Sequence, residues 1–200
     1  MNILIIASEA APLATAGGLG DVIGSLPQAL KELGCSVSVV LPAYRSVLER
    51  IKAWDVEVEG LQLTIGSRTL TGDILLSELA PGVPLYLVRC EEFFERDGIY
   101  GIPEGDYQDN QERYIFFSRI IPSLCSSLSL HPDVILANDW QTGLVMALLD
   151  QGALPGSAGV FAVHNMGYLG LVPPDRFENI GLPDDYYRME GLEFIICFII

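Results

Sequence analysis

Ile3-Leu4-Ile5-Ile6-Ala7 is an uninterrupted apolar run, entered at Asn2 and left at Ser8-Glu9. So short a run without polar alternation suits a strand buried on both faces, the condition of parallel strands covered by helices. The next segment agrees. A loop holding Gly17-Gly18 leads into Val22, Ile23, Leu26, Ala29, Leu30 and Leu33 at helical spacing, and Gly34 stands where a C-terminal cap belongs. Gly24 and Pro27 inside that pattern predict a kink. Residues 36–41 form a second apolar strand, closed by Pro42. The opening is β-α-β.

Over residues 54–79, Val56, Val58, Leu61, Leu63 and Ile65 alternate with polar neighbours, and Gly60, Gly66-Ser67 and Gly72 punctuate them. This predicts antiparallel strands decorating the sheet. Residues 85–88 read as the next core strand and residues 93–107 as a long loop rich in Gly, Asp and aromatics. Asp109 and Glu112 have the spacing of a capping box and open a helix to about Ser127. A strand at 134–137, a helix at 143–151 capped by Thr142, and a strand at 159–163 follow. Strands alternating with helices predict an α/β fold: a doubly wound, mostly parallel, Rossmann-like sheet with an antiparallel β insertion.

A formal charge of -15 over 200 residues repels nucleic acid and anionic membrane surfaces, so neither is an expected partner. Cys35, Cys90, Cys125 and Cys197 form no C-x-x-C pair, which leaves zinc and redox readings without their usual signature. Reduced, mostly buried thiols in a cytoplasmic protein are expected. Ile3 to Ala7 lacks the basic leader of a signal peptide. The closing run Phe194-Ile195-Ile196-Cys197-Phe198-Ile199-Ile200 falls short of the ~20 residues of a membrane span. That run reads as an element cut off in the middle.

Ligands of open parallel sheets bind beyond the carboxyl ends of the strands. Three predicted strands end there in polar clusters: Ser8-Glu9, Asn138-Asp139-Trp140-Gln141 and His164-Asn165. The loop Gly17-Gly18-Leu19-Gly20-Asp21 enters a helix whose free N–H groups favour an anion or a polar oxygen, although a plain tight turn reads equally simply. Its spacing is not G-x-G-x-x-G, and no acid follows the second strand, which argues against a dinucleotide site. Asp139-Trp140 joins a carboxylate to a flat ring, the pairing that a sugar's hydroxyls and C–H face require; a helix-start Asp beside a core Trp is the plainer alternative. His164, one of two histidines, reads either as a satisfied structural group or, beside Asn165, as a site residue. No G-x-S-x-G, H-x-x-x-H or convincing D-x-D motif supports acyl hydrolysis or a metal. Asp184-Asp185, Glu190 and Glu193 read as solvated surface carboxylates.

Ser8-Glu9-Ala10-Ala11-Pro12-Leu13 followed by Gly17-Gly18-Leu19-Gly20-Asp21-Val22 resembles the opening of the bacterial glycogen synthase and plant starch synthase family. Asp97-Gly98-Ile99-Tyr100-Gly101 is similar to that family's aromatic loop. Asp106-Tyr107, Asp109-Asn110 and Arg113-Tyr114-Ile115-Phe116-Phe117 resemble the segment after it. Asn138-Asp139-Trp140-Gln141-Thr142-Gly143-Leu144 and His164-Asn165-Met166-Gly167-Tyr168-Leu169-Gly170 match two more blocks. Order and spacing agree from residue 2 to about 194.

The resemblance implies the N-terminal half of a two-domain GT-B glycosyltransferase. Such an enzyme moves glucose from ADP-glucose to the non-reducing end of an α-1,4-glucan with retention, using no cofactor and no metal. By similarity, His164 and Asp139 are catalytic candidates. Thr15, Gly17, Gly18, Asp21 and Asn165 are donor-binding candidates, and Glu9, Tyr100 and Trp140 acceptor-binding ones. The family signature reads Lys-x-Gly-Gly-Leu, whereas Thr15 stands here at the Lys position, offering a neutral hydroxyl in place of an ammonium. The family also continues into a second Rossmann-like domain with most of the nucleotide site. Residues 1–200 are therefore expected to be a truncated N-terminal catalytic domain, inactive alone and prone to self-association through exposed apolar surface. Two alternatives stand beside this: a catalytically dead α-glucan-binding module, and a GT-B enzyme with another sugar-nucleotide donor.

Overall fold

A computed structural model describes residues 1–188, together with the strand segments Glu193–Phe194 and Cys197–Ile199. The expectations for Glu190, for the side chains of Glu193 and Cys197, and for the closing apolar run lie outside the described residues.

The predicted opening is present. Strand β1 (Asn2–Ile6) runs into helix α1 (Gly18–Glu32) and strand β2 (Ser36–Pro42). Gly34 adopts φ +86 just beyond α1, a conformation glycine reaches without a Cβ penalty. Pro27 lies inside the helix on its buried side. After the short helix α2 (Arg45–Arg50), strands β3 (Asp55–Ile65) and β4 (Arg68–Ala80) pair antiparallel about Gly66-Ser67, and β5 (Val83–Arg89) follows. The glycines at 60 and 72 do not divide this region into short strands, as their spacing suggested. Both strands run through them, and the irregularity at Gly60 is absorbed as a register shift between Val58 and Leu61.

Residues 90–109 hold helix α3 (Glu91–Phe94) and a two-residue hairpin of β6 (Gly101–Ile102) and β7 (Gly105–Asp106). Helix α4 (Asn110–Ser127), strand β8 (Val134–Asn138), helix α5 (Trp140–Asp150) and strand β9 (Ala158–Ala162) complete the main layer. The expected capping box at α4 does not form. Asp109 turns instead to Arg96, with Nη1–Oδ1 and Nη2–Oδ2 at 2.8 and 2.7 Å, and Glu112 turns to Arg68 at 3.2 Å. A charge-assisted fork outcompetes a neutral backbone N–H for the carboxylate. Thr142 is likewise not the cap of α5. It sits in the helix's first turn and donates to the carbonyl of Asn138 at 2.8 Å, while Asp139 takes the N-cap position.

The seven strands are ordered β3-β4-β5-β2-β1-β8-β9; β5, β2, β1, β8 and β9 are parallel, and the β3–β4 pair is antiparallel. This is the α/β, mostly parallel sheet with an antiparallel addition that the pattern predicts. Ile5, Ile6, Val39, Val40, Leu85 and Leu87 are fully buried, as central parallel strands demand. Phe93 and Phe94 of α3 form an edge-to-face cluster with Phe116 and Phe117 of α4. The chain leaves β1 toward β2 on one side and later returns as β8 on the other. That reversal opens a crevice beyond the carboxyl ends of β1 and β8.

Candidate functional site

The crevice is a cleft of about 590 Å³. Its walls include Glu9 after β1, the glycine loop at 16–18, Tyr100 and Asn110, Asp139-Trp140-Gln141 after β8, and His164, Asn165 and Tyr168 after β9. All three polar clusters at strand ends therefore meet on one rim.

Glu9 is almost completely buried, and both of its oxygens are engaged. Oε2 accepts the backbone N–H groups of Ala16 and Gly17 at 2.7 and 2.8 Å, while Oε1 accepts the Tyr100 hydroxyl at 2.7 Å. Because Tyr100 spends its proton on Glu9, Ser8 Oγ donates to the Tyr100 oxygen at 2.8 Å. Burial, with Tyr114 and the Glu9 carboxylate close by, holds the Tyr100 phenol neutral, well above the ordinary tyrosine range. Tyr100 is held from behind as well. Asn110 Nδ2 donates to its carbonyl at 2.7 Å, and Asn110 Oδ1 accepts from Arg113 at 2.6 Å. Arg113 is fully buried, donates to the carbonyls of Phe93 and Ile99, and lies against the rings of Phe94, Tyr107 and Tyr114. The loop predicted over 93–107 is thus tied down at its root.

Asp139 has φ 57 and ψ 177, a conformation costly for any residue with a Cβ, by roughly 1–3 kcal/mol. The surroundings enforce it. Its N–H donates to the Ala162 carbonyl at 2.8 Å, and its Oδ1 accepts the N–H groups of His164 and Asn165 at 2.6 and 3.1 Å. The carboxylate that would ordinarily cap α5 instead shapes the loop after β9, and Oδ2 is left without a hydrogen-bond partner among the described residues. Asn138 fixes the histidine. Its Nδ2 donates to the carbonyls of Ile6 and Leu136, so its Oδ1 faces His164 Nε2 at 3.0 Å as an acceptor. The ring hydrogen then sits on Nε2 in the neutral form and leaves Nδ1 available.

Trp140 packs edge-on against Tyr114, with ring centroids 5.2 Å apart. Gly170 presses on the indole from the other side: a Cβ there would lie 2.7 Å from Trp140 Cε3.

Eight of the ten site residues proposed from the sequence converge on this cleft: Glu9, Gly17, Gly18, Tyr100, Asp139, Trp140, His164 and Asn165. Thr15 and Asp21 are not among its lining residues. The Thr15 side chain turns onto Gly20, where a Cβ would meet its Cγ2 at 2.9 Å. Asp21 is exposed in the first turn of α1, and its carbonyl accepts from Ser25 Oγ. Asp106, Asn110, Gln141 and Tyr168 line the cleft without having been singled out. Each lies inside a recognised motif block, but nothing in the spacing distinguished it from its neighbours. Asp184 and Asp185 are exposed, as expected.

Among the described residues, the lining contains carboxylate, amide, imidazole and phenol groups and three aromatic rings, yet no lysine or arginine. Such a wall offers hydrogen bonds and flat apolar faces to a polyhydroxylated neutral ligand. Among the described residues, no group of three or more His, Cys, Asp and Glu is placed to hold a metal ion. No helix among them is long and apolar enough to cross a membrane. Burial pushes the Cys90 and Cys125 thiols up to about 11, which removes the thiolate that redox or metal chemistry needs.

The family described as the starch synthase catalytic domain matches residues 2–198. A glycogen synthase of Desulfatibacillum aliphaticivorans is 48% identical over 194 residues, covering 97% of this chain and 40% of its own length. A glycogen synthase of Thioalkalivibrio sulfidiphilus is 45% identical over 203 residues, with 97% and 41% covered. Among solved structures, the catalytic domain of starch synthase IV from Arabidopsis thaliana, bound to ADP and acarbose, superposes with a TM-score of 0.84. It is 27% identical, and the match covers 96% of this chain and 39% of that one. The chain spans about 40% of the length of the curated relatives it matches.

Proposed function

The chain belongs to the starch synthase catalytic-domain family, and from that membership we propose that it forms the acceptor-side half of a retaining glucosyltransferase. The donor would be ADP-glucose and the acceptor the non-reducing end of an α-1,4-glucan. One observation carries this reading: Asp139 Oδ2, the His164 imidazole and the Trp140 ring share one cleft with Tyr100 and Asn165. In this reading Trp140 and Tyr100 support pyranose faces, and Asp139 Oδ2 accepts sugar hydroxyls. His164, oriented by Asn138, hydrogen-bonds the glucosyl unit as positive charge develops at its anomeric carbon. Asn165 and the Gly17-Gly18 backbone approach the donor side; Thr15, at the sequence position of the family's ammonium, is turned onto Gly20 and away from the cleft lining. Glu9, whose oxygens are already occupied, positions the glycine loop and Tyr100.

The absence of a cation from the cleft wall bears on the donor. A diphosphate leaving group needs positive charge close by. The residues lining this cleft cannot provide it, so the 200-residue chain by itself is expected to bind maltooligosaccharide without transferring glucose from ADP-glucose. Titration calorimetry with maltotetraose, with and without ADP-glucose, tests both halves of the statement. Trp140→Ala should weaken sugar binding at least tenfold, and nucleotide sugar should leave it unchanged. Efficient transfer by the isolated chain, or sugar binding indifferent to Trp140, would overturn the proposal. The same cation-free wall is what favours the second reading, a glucan-binding module without catalysis. Assay of the chain joined to a relative's remaining sequence separates the two.

A further inference from the structure

Gln141 lines the cleft next to Asp139 and Trp140 and is 6% exposed. Its backbone carbonyl accepts from Ser118 Oγ on α4. Its side-chain Oε1 is buried and has no hydrogen-bond partner among the described residues. A buried carbonyl oxygen stripped of water and left unpaired is costly, and native structures retain one only where something else compensates. An apolar side chain of similar size would avoid the cost at this place.

We propose that Gln141 is a further specificity residue of the cleft, whose side-chain amide is completed by a hydroxyl of a bound glucan. Two observations and one general property of the side chain point this way. The residue lies on the wall, not behind it. It directly follows Trp140 on α5, the aromatic residue that the proposed sugar reading uses. The final torsion of a glutamine side chain is broad, so the amide can turn its oxygen or its nitrogen toward the cleft without moving the helix. An acceptor left empty by the protein suits a ligand rich in hydroxyl donors, and a site that hydrogen-bonds a hydroxyl rejects analogues lacking it. The inference rests on the sugar-binding reading of the cleft given above.

The test compares wild type with Gln141→Leu and Gln141→Met in urea unfolding and in calorimetric titration with maltotetraose and a set of monodeoxy maltosides. The apolar variants remove an unpaired buried oxygen, so their urea midpoints should equal or exceed that of wild type. Their affinity for maltotetraose should nevertheless fall roughly tenfold, equivalent to about 1.4 kcal/mol. One monodeoxy maltoside should bind wild type more weakly than maltose yet bind the Leu variant no worse than maltose does. Unchanged maltotetraose affinity in both variants would overturn the inference, as would a loss of affinity that merely tracks a loss of stability. A wild-type chain that binds no maltooligosaccharide would instead refute the sugar reading of the cleft, and this inference with it.

Discussion

Asp139 and Gly170 carry the geometry that the cleft depends on. At Asp139 a strained backbone is maintained because three N–H groups, its own and those of His164 and Asn165, find acceptors only in that conformation. At Gly170, φ +62 and contact with the Trp140 indole leave no space for a side chain. Gly170→Ala is therefore expected to push Trp140 from its seat on Tyr114, cutting maltotetraose affinity about tenfold and stability by about 1–3 kcal/mol. Calorimetry and urea unfolding check this; an alanine variant with native affinity would show the ring to be mobile. The identities of Asp139, Trp140 and His164 were legible from their places after strands, but Asp139's task was not. A carboxylate at a helix start reads as a cap, and only the return of β9 beside β8 brings in the competing donors. The structural task of Glu9 was hidden for a related reason. Its partner Tyr100 is 91 residues distant, and no local pattern announces that both oxygens are taken.

At the scale of elements, apolar runs and glycines marked the parallel strands and α1 well because burial on both faces leaves a pattern in a single segment. The side-chain choices at helix ends were not legible, since they depend on which charges come near. Asp109 shows the energetic consequence. Burial alone would raise its pKa, but the Arg96 fork outweighs burial and holds the carboxyl below its ordinary range. A folded-state pKa below the unfolded value contributes stability above about pH 4, and that contribution is lost as pH falls through the lower folded value. Arg96→Leu is accordingly expected to cost about 1 kcal/mol at pH 7, with the gap closing in acid. Urea midpoints at pH 7 and pH 3 decide the matter; a gap independent of pH would mean that packing against Tyr107, not the ion pair, is what Arg96 contributes.

For the molecule as a whole, thiol chemistry gives a simple check on the core. Cys90 and Cys125 are buried and Cys35 is partly open, so iodoacetamide mapped by mass spectrometry should label Cys35 before Cys90 and Cys125, which should react only on unfolding. Strand β9 makes the opposite statement about the surface. It is the last strand of the seven, with Val160 and Phe161 exposed by 47% and 45%, and Val163 just beyond it by 50%. Exposed apolar side chains at a strand edge favour association, and we propose that the 200-residue chain self-associates through this surface in solution. Sedimentation velocity should show concentration-dependent association that Phe161→Lys suppresses; a monomer at all concentrations would refute it. Glu9 has a different consequence, for recombination among relatives. One buried acid latches the loop at 16–17 to the loop around residue 100, so neither lip of the cleft is a free-standing module. Chimeras that transplant one lip alone should come out unlatched, and only those that move residues 9, 16–17 and 100 as a set should inherit a working mouth.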